Sequence, residues 1–426
     1  MLTAAPASVS ERFGEALRPG VMGPRLAAAQ DGMPGACHVL DAKFEPGVRA
    51  VLLYEQAGRL LRGDLVPDGG LASADPARMV EPGVLVSPFP HDPELPSLPS
   101  IMDPACLGHA MARALSQAGA GPMGRVPRSR MRLLRYRPGK RVTLLVAQGP
   151  QPPAYVAKAY HSAAKAAAVV EEAPMLQSAT TPAGTLSFAP LVGFVPDLAL
   201  VVQQRVAGTP LDLLLRSPDS SPPALRQGLD RAGRALAQLH GTVVPSPRQR
   251  SVEAELVRFG ERASRVSTVD PVLGCAAADL AERLVKTLDQ LPPAHTGVVH
   301  GDCKPSQFLI TEHGVVLLDL DHVGISDQAA DVGTFLASLR QQDVRHALAG
   351  RSGRPSASAG SLAELFLAGY LAGGGTCREA SRTHWQEAVA LERKALRAFA
   401  RAPRSPVPRA LIVEAHACLD RAEEAS

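Results

Sequence analysis

The chain has 426 residues, of which 46% are hydrophobic and 20% charged, and its formal net charge is +4. This length predicts two or three packed units, and so weak and scattered a positive charge argues against nucleic acid as a partner. No run approaches the roughly 18 uncharged apolar residues of a membrane helix, and Met1 to Ser10 lacks the pattern of a secretory signal. The six cysteines contain no CxxC pair, which is typical of reduced thiols. We therefore expect a cytoplasmic protein without a membrane partner.

The first third of the chain contains two similar hairpin patterns. Phe44-Glu45-Pro46-Gly47 and Tyr136-Arg137-Pro138-Gly139 are followed by Arg and Leu-Leu at identical offsets, 92 positions apart. Both predict strand-turn-strand, because Pro presets the first central residue of a turn and Gly allows a positive φ at the second. The repetition indicates either a duplicated hairpin or chance. The Pro- and Gly-rich residues 67–99 predict an irregular connection, and residues 104–117 predict a helix.

Beyond residue 150 the pattern changes from strands to helices. Apolar runs predict strands at 154–160, 186–194 and 198–206, with an alanine-rich helix at 162–177 after the first of them. From residue 210 onward the periodicity is helical, with predicted helices at 225–240, 252–265, 275–291, 329–340, 361–371, 383–402 and 411–424. A β-rich half followed by a helix-rich half predicts an α+β protein in two lobes.

One β segment, residues 297–320, interrupts the helical half and carries a group of polar side chains. Its apolar runs surround a polar loop that contains Asp302 and Gln307, and Asp319 lies at the end of the second run. Phosphoryl transfer needs a carboxylate that orients the attacking hydroxyl and oxygen ligands that hold Mg²⁺ against the phosphates. These three residues supply that set, so the segment predicts a phosphotransfer site.

The run His300-Gly301-Asp302, followed by Lys304, Gln307 and Asp319, resembles the HGDxxxxN and strand-end aspartate motifs of the aminoglycoside phosphotransferase family. The resemblance covers about residues 130 to 400 and implies a bilobal protein-kinase-like fold that uses ATP and Mg²⁺. It implies that Asp302 is the catalytic base, that Lys304 lies near the transferring phosphate, and that Asp319 is the main metal ligand. The metal-binding Asn of the family is Gln307 here, which we expect to be the second metal ligand.

Two more residues of this region are expected to support the loop. His300 is expected to brace it by hydrogen bonds, and Asp331, in Ala330-Asp331-Val332-Gly333, matches a later structural aspartate of the family.

The nucleotide half of the site is predicted upstream. Lys158 is one of only seven lysines in an arginine-rich chain and lies in an apolar strand; Arg replaces Lys freely on a solvated surface, so a retained Lys suggests a function. The resemblance implies that Lys158 contacts the α- and β-phosphates and pairs with a glutamate of the next helix. We favour Glu172 over Glu171, because Glu172 shares a helix face with apolar neighbours.

The resemblance also implies where the rest of ATP binds. There is no GxGxxG motif, and the basic turn that contains Arg137 and Lys140 is expected to cover the phosphates instead. The backbone near Gln204 and Val206, in the linker between the lobes, is expected to hold adenine.

These interpretations divide the chain into a cap-like extension on the upper lobe (1–110), a kinase-like N-lobe (111–204) and a helical C-lobe with the catalytic loop (205–426). We expect an ATP-dependent phosphotransferase that acts on a hydroxyl of a small molecule such as a sugar, an antibiotic or a related metabolite. Because residues 252–290 hold seven acids against five bases, the acceptor is expected to be neutral rather than polycationic. Two alternatives remain: a Ser/Thr kinase acting on a peptide, and a degenerate kinase that binds nucleotide or a partner without catalysis.

Overall fold

The computed structural model describes residues 9–30, 35–66, 77–81, 83–119, 126–147, 154–179, 186–217, 221–244, 248–350 and 359–425. The chain begins with helices α1 (Val9–Ala16) and α2 (Pro19–Ala29). A five-stranded antiparallel sheet follows in the order β1-β2-β3-β5-β4, with strands β1 (Cys37–Glu45), β2 (Arg49–Gln56), β3 (Arg59–Leu65), β4 (Arg78–Glu81) and β5 (Val84–Pro88). Helices α3 (Leu98–Met102) and α4 (Pro104–Gln117) connect it to the next sheet.

The second sheet is also antiparallel and five-stranded, in the order β10-β11-β8-β7-β6. Its strands are β6 (Met131–Arg137), β7 (Arg141–Ala147), β8 (Ala154–Tyr160), β10 (Leu191–Val195) and β11 (Leu200–Gln204). Helix α5 (Ala163–Ala179) follows β8. Successive side chains of a strand point to opposite faces, so Val142, Leu144 and Ala157 are buried in one core, whereas Arg141 and Lys158 lie on the other face.

The rest of the chain is mainly helical, with two small sheets that carry the polar loop. The helices are α6 (Leu211–Arg216), α7 (Pro222–His240), α8 (Val252–Ser267), α9 (Pro271–Leu288), α10 (Ala329–Leu348), α11 (Ala359–Ala372), α12 (Ala380–Arg401) and α13 (Val407–Glu424). The sheets are β12-β14-β15-β9, formed by Thr209–Pro210, Phe308–Ile310, Val315–Leu317 and Leu186–Phe188, and β13-β16, formed by Thr296–Val299 and Gly324–Asp327. The predicted α+β class, with β-rich N-terminal sheets and a helical C-terminal region, is confirmed.

Helix boundaries follow local signals. Asp103 caps α4 by accepting hydrogen bonds from the Ala105 and Cys106 amides, and Asp270 caps α9 in the same way. The two hairpin turns are also as predicted: Gly47 has a φ of 70° and Gly139 a φ of 67°. The prediction of an irregular segment at 67–99 was wrong where the structure describes it, since β4, β5 and α3 lie there and Val84, Leu85 and Val86 are buried; residues 67–76 and 82 lie outside the described residues.

The first sheet is buried on both faces, and this decides how the N-terminal extension is placed. Along β2, Ala50, Leu52 and Tyr54 pack into a core shared with helices α8, α9, α12 and α13. Leu53 points the opposite way and packs with residues of α4 and the second sheet. The sheet therefore lies between the N-lobe and the C-terminal helices rather than only on the upper lobe. The boundary predicted at residue 110 lies within α4, and the three-part division remains a prediction.

Candidate active site

The loop after β13 is held in one conformation by buried hydrogen bonds. His300 is fully buried; its Nε2 donates to the Leu318 carbonyl (2.8 Å), and its Nδ1 accepts from the Asp302 amide (3.3 Å). The buried Asp331 carboxylate accepts from the His300 amide (2.5 Å) and the Gly301 amide (2.9 Å). Gly301 has a φ of 75°, and a Cβ there would lie 2.2 Å from the His322 carbonyl oxygen, so only glycine fits. His300 and Asp331 brace the loop, as the sequence predicted.

Asp302 lies in this loop beside a cation and an amide. Lys304 Nζ donates to Asp302 Oδ2, and Gln307 Nε2 lies 3.4 Å from the same oxygen. Burial raises the pKa of Asp302, but the Lys304 ammonium lowers it by more, and the net pKa lies below the ordinary value. Asp302 is therefore ionised at neutral pH.

Asp319 is the centre of a second set of contacts, in a backbone conformation that non-glycine residues rarely adopt (φ 63°, ψ 61°). Arg141 Nη1 and Nη2 each donate to one of its oxygens at 3.0 Å, and Lys158 Nζ donates to Oδ1 at 3.2 Å. Gln307 Nε2 lies 3.4 Å from Oδ2, so one amide joins Asp319 to Asp302. Burial opposes the ionised carboxylate, but Lys158 and Arg141 outweigh it and hold the pKa of Asp319 far below its usual range.

Asp321, two residues later, completes the cluster. Arg141 also donates to its Oδ2, the Tyr160 hydroxyl donates to Oδ1 (2.8 Å), and Lys165 Nζ donates to its carbonyl (2.7 Å). Asp321 and Asp319 thus share one guanidinium from the facing strand β7. Sequence analysis assigned no role to Arg141, Tyr160, Lys165 or Asp321, although Lys165 is one of the seven lysines.

Two further arginines of β6 border Asp319 without a bound carboxylate. Arg135 and Arg137 lie on the same face of the second sheet as Arg141, because Arg137 pairs with Arg141 and Arg135 with Thr143 in the ladder. Burial lowers the pKa of Arg137 to about 10, with repulsion from Arg135 and Arg141 as further causes. Arg137 Nε is buried without a partner among the described residues. Arg137 is thus near Asp319, as expected for a phosphate-binding side chain.

Other predicted residues lie elsewhere. Glu172 does not meet Lys158: its Oε1 accepts from Arg248 Nη2 (3.4 Å), because the α5 face that carries Glu172 turns toward the Arg248 segment. Lys140 is not beside Asp319; its charged neighbours are Lys43, Glu45, Arg137 and Arg397. The Gln204 amide already donates to the Pro190 carbonyl (2.8 Å). The Val206 amide has no hydrogen-bond partner among the described residues.

No group of three or more His, Cys, Asp or Glu side chains within the described ranges is arranged to hold a metal ion. The set that the sequence predicted is smaller, with the Asp319 carboxylate and the Gln307 amide. Within the same part of the chain, no helix has both the length and the apolar character that a bilayer span requires.

Solved structures similar to this chain include three kinases or kinase relatives. A choline/ethanolamine kinase family protein from Mesorhizobium loti matches at 16% identity and a TM-score of 0.45, covering 69% of this chain and 91% of that one. Choline kinase from Cryptosporidium parvum matches at 11% and 0.47, covering 70% and 90%. Macrolide 2'-phosphotransferase from Brachybacterium faecium matches at 16% and 0.44, covering 72% and 97%. At these identities and TM-scores the similarity says nothing about the substrate.

No curated protein matches the chain. A family model described as the phosphotransferase enzyme family matches residues 141–379, more than half of the chain, from Arg141 on strand β7 to the start of α12. The match includes the predicted Asp302 loop and Asp319, and it confirms the relationship to aminoglycoside phosphotransferases. The protein is therefore a kinase that phosphorylates an alcohol group of a small molecule, and it belongs to the phosphotransferase enzyme family.

Proposed function

We propose that this protein transfers the γ-phosphate of ATP to a small-molecule hydroxyl, which Asp302 orients and deprotonates. The observation that carries the proposal is the position of Asp302, an ionised carboxylate on a braced loop, in contact with Lys304 and joined through Gln307 to Asp319. Positioned carboxylates and cations are what phosphoryl transfer requires from a protein.

In the proposed reaction, the acceptor oxygen bonds to the γ-phosphorus, the bond from that phosphorus to the bridging oxygen of ADP breaks, and the hydroxyl proton passes to Asp302. The lowered pKa of Asp302, in which Lys304 outweighs burial, makes it a weak base. A weak base suffices, because the loose transition state places little demand on early proton removal. Lys304 would neutralise charge on the phosphoryl group as it is transferred.

Asp319 and Gln307 are the residues that would hold Mg²⁺. Their donor chemistry fits, because Mg²⁺ takes oxygen ligands and a flipped Gln307 amide would place its oxygen between the Asp302 and Asp319 carboxylates. An oxygen in that position is favourable only beside a cation. The bound ion would neutralise charge on the phosphates. Arg141 occupies both oxygens of Asp319 in this structure and would have to release at least one of them.

For the nucleotide, we propose that Arg137, Arg141 and Lys158 bind the phosphates. The unpartnered Arg137 Nε and the shared sheet face of the three side chains support this. Adenine would contact the Val206 amide rather than the Gln204 amide, which is already engaged. Glu172 and Lys140 have no part in nucleotide binding under this proposal.

The test is Asp302→Asn in the full chain, with Asp279→Asn, an exposed acid on α9, as the matched control. We expect ATP affinity within a few fold of the parent and turnover lower by about a hundredfold or more, the scale of a positioned general base. Loss of nucleotide binding with unchanged turnover would contradict the role of Asp302. The peptide acceptor and the non-catalytic alternative have no support from these contacts, and an acceptor screen that included peptides would test the first directly.

A further inference from the structure

Helix α12 places basic side chains next to Asp302. Arg393 and Arg397 are four residues apart and share a helix face, and Lys394 precedes Arg397 by three. Asp302 lies within electrostatic range of both Lys394 and Arg397. Lys140, from the turn between β6 and β7, is a charged neighbour of Arg397. Cations from two distant segments therefore converge on the side of Asp302 where α12 lies.

The carboxylates that border this region already have cationic partners. The pairs are Asp302 with Lys304, Glu255 with Arg393 (2.5 and 3.0 Å), and Glu45 with Lys43. Three cations are left without an acid, and we call Lys140, Lys394 and Arg397 the acceptor-side triad. None of the three forms an ion pair within the described part of the chain, and the Lys394 ammonium donates only to the Ser338 hydroxyl (2.9 Å).

The triad is costly in the empty protein. Burial lowers the pKa of Lys394 to about 7 and also lowers the pKa of Lys140 and Arg397, with a neighbouring cation as the next cause in each case. Desolvated like charges disfavour one another. A bound anion would relieve this cost, because it would supply the missing opposite charge.

The triad is separate from the cations that hold Asp319. Arg141 and Lys158 donate directly to Asp319, whereas the charged neighbours of Lys394 and Arg397 include Asp302 and not Asp319. A triphosphate bound on the Asp319 side would leave the triad uncompensated. The missing negative charge must therefore come from another molecule, or another part of the reaction complex, on the Asp302 side.

We propose that the hydroxyl acceptor is itself anionic, a sugar-like or polyol compound with a phosphate or carboxylate group, and that Arg397 binds this group together with Lys140 and Lys394. The inference rests on the proposed function, since it takes Asp302 to mark the acceptor side. It replaces the expectation of a neutral acceptor, which came from the charge count of residues 252–290 and did not include α12. It also excludes a polycationic aminoglycoside.

The first test measures anion binding by calorimetry. The full chain, saturated with Mg·AMP-PNP, is titrated with inorganic phosphate, and Arg397→Ala and Arg397→Lys are compared with the parent. Arg226→Ala, an exposed arginine on α7, is the control. We expect Arg397→Ala to weaken phosphate binding roughly tenfold to a hundredfold, the scale of one lost charged hydrogen-bond partner. Arg397→Lys should recover part of the affinity, and Arg226→Ala should match the parent. Equal binding by the parent and Arg397→Ala, or none by the parent, would overturn the proposal.

The second test compares four acceptors: glucose, glucose 6-phosphate, gluconate and kanamycin. We expect the anionic compounds to exceed glucose in kcat/KM by about tenfold or more and to lose that advantage in Arg397→Ala; the two anions distinguish phosphate from carboxylate recognition. Glucose or kanamycin used as well as the anions would overturn the inference and leave the kinase assignment intact. If none is phosphorylated, the calorimetric result decides. A protein that fails to bind AMP-PNP contradicts the proposed function, and the phosphate titration without nucleotide then still decides whether Arg397 binds anions.

Discussion

Replacing Glu392 with glutamine should stabilise the protein at neutral pH. Glu392 lies on α12, is fully buried, and has no hydrogen-bond partner for either carboxylate oxygen among the described residues. Burial, with a smaller contribution from the nearby Glu255, raises the pKa of Glu392 from 4.5 to about 9. The folded protein therefore keeps this carboxyl protonated at pH 7.5, whereas the unfolded chain ionises it.

The sign and size follow from proton linkage. Because the folded state holds the proton more tightly, the free energy of unfolding falls as pH rises from about 4.5 to about 9. Each pH unit in this window costs about 1.4 kcal/mol, which gives about 4 kcal/mol at pH 7.5 and about 1 kcal/mol at pH 5. At pH 7.5 the cost depends almost entirely on the unfolded pKa. Glutamine has a similar shape and does not ionise, so Glu392→Gln should remove most of this cost.

The assay is urea unfolding at pH 7.5 and pH 5, followed by the fluorescence of Trp385. This single tryptophan is fully buried on the same helix, so it reports the unfolding of α12. Glu387→Gln is the matched control, because Glu387 is equally buried on α12 but pairs with Arg340 (2.8 Å), so its loss should destabilise the protein. A Glu392→Gln variant no more stable than the parent at pH 7.5, or stabilised equally at both pH values, would refute the reasoning.

Three further substitutions test the site. Gln307→Ala should raise the Mg²⁺ concentration for half-maximal turnover sharply, and Gln307→Asn should be tolerated, since it keeps the amide oxygen; equal Mg²⁺ dependence of Gln307→Ala and parent would show that Gln307 is no ligand. Arg141→Ala should lower the thermal midpoint without metal and increase the stabilisation by MgCl₂, because it frees both oxygens of Asp319; equal shifts in variant and parent would contradict this. Asp331→Asn should cost about 2 to 3 kcal/mol of unfolding free energy and reduce turnover, because the asparagine amide cannot accept both loop hydrogen bonds; an unchanged thermal midpoint would argue against the bracing role.

Local chemistry made parts of this molecule predictable from the sequence. The Pro-Gly turns fix two hairpins, since only the two turn residues and their strands are involved. The catalytic loop and its bracing by His300 and Asp331 follow from a motif in which every residue type is constrained by the chemistry. Helices such as 252–267 were predicted to within a few residues because their periodicity and caps are local.

What the sequence could not show depends on contacts between distant segments. The Arg141–Asp319 pair joins residues 178 positions apart, and no local pattern selects Arg141 over Arg135 or Arg137. The orientation of α5 sends Glu172 to Arg248 instead of Lys158, and helix periodicity gives a face but not its partner. Strand β5 was missed because proline and glycine surround its short apolar run, and a run of that length has no period of its own.

The N-terminal sheet offers a reason why this kinase needs no glycine-rich loop above the phosphates. Asp92, which directly follows that sheet, accepts hydrogen bonds from the Tyr136 hydroxyl (2.7 Å) and the Gly139 amide (2.8 Å), and Arg62 of β3 holds Asp92 in turn. The turn that begins strand β7 is thus fixed by side chains. Because β7 starts from a fixed turn, Arg141 reaches Asp319 from a rigid strand. Fixed cations aimed at a phosphate site need little reorganisation when charge develops there, so the extension that the sequence left unexplained supplies the rigidity that positions the charges of the cleft.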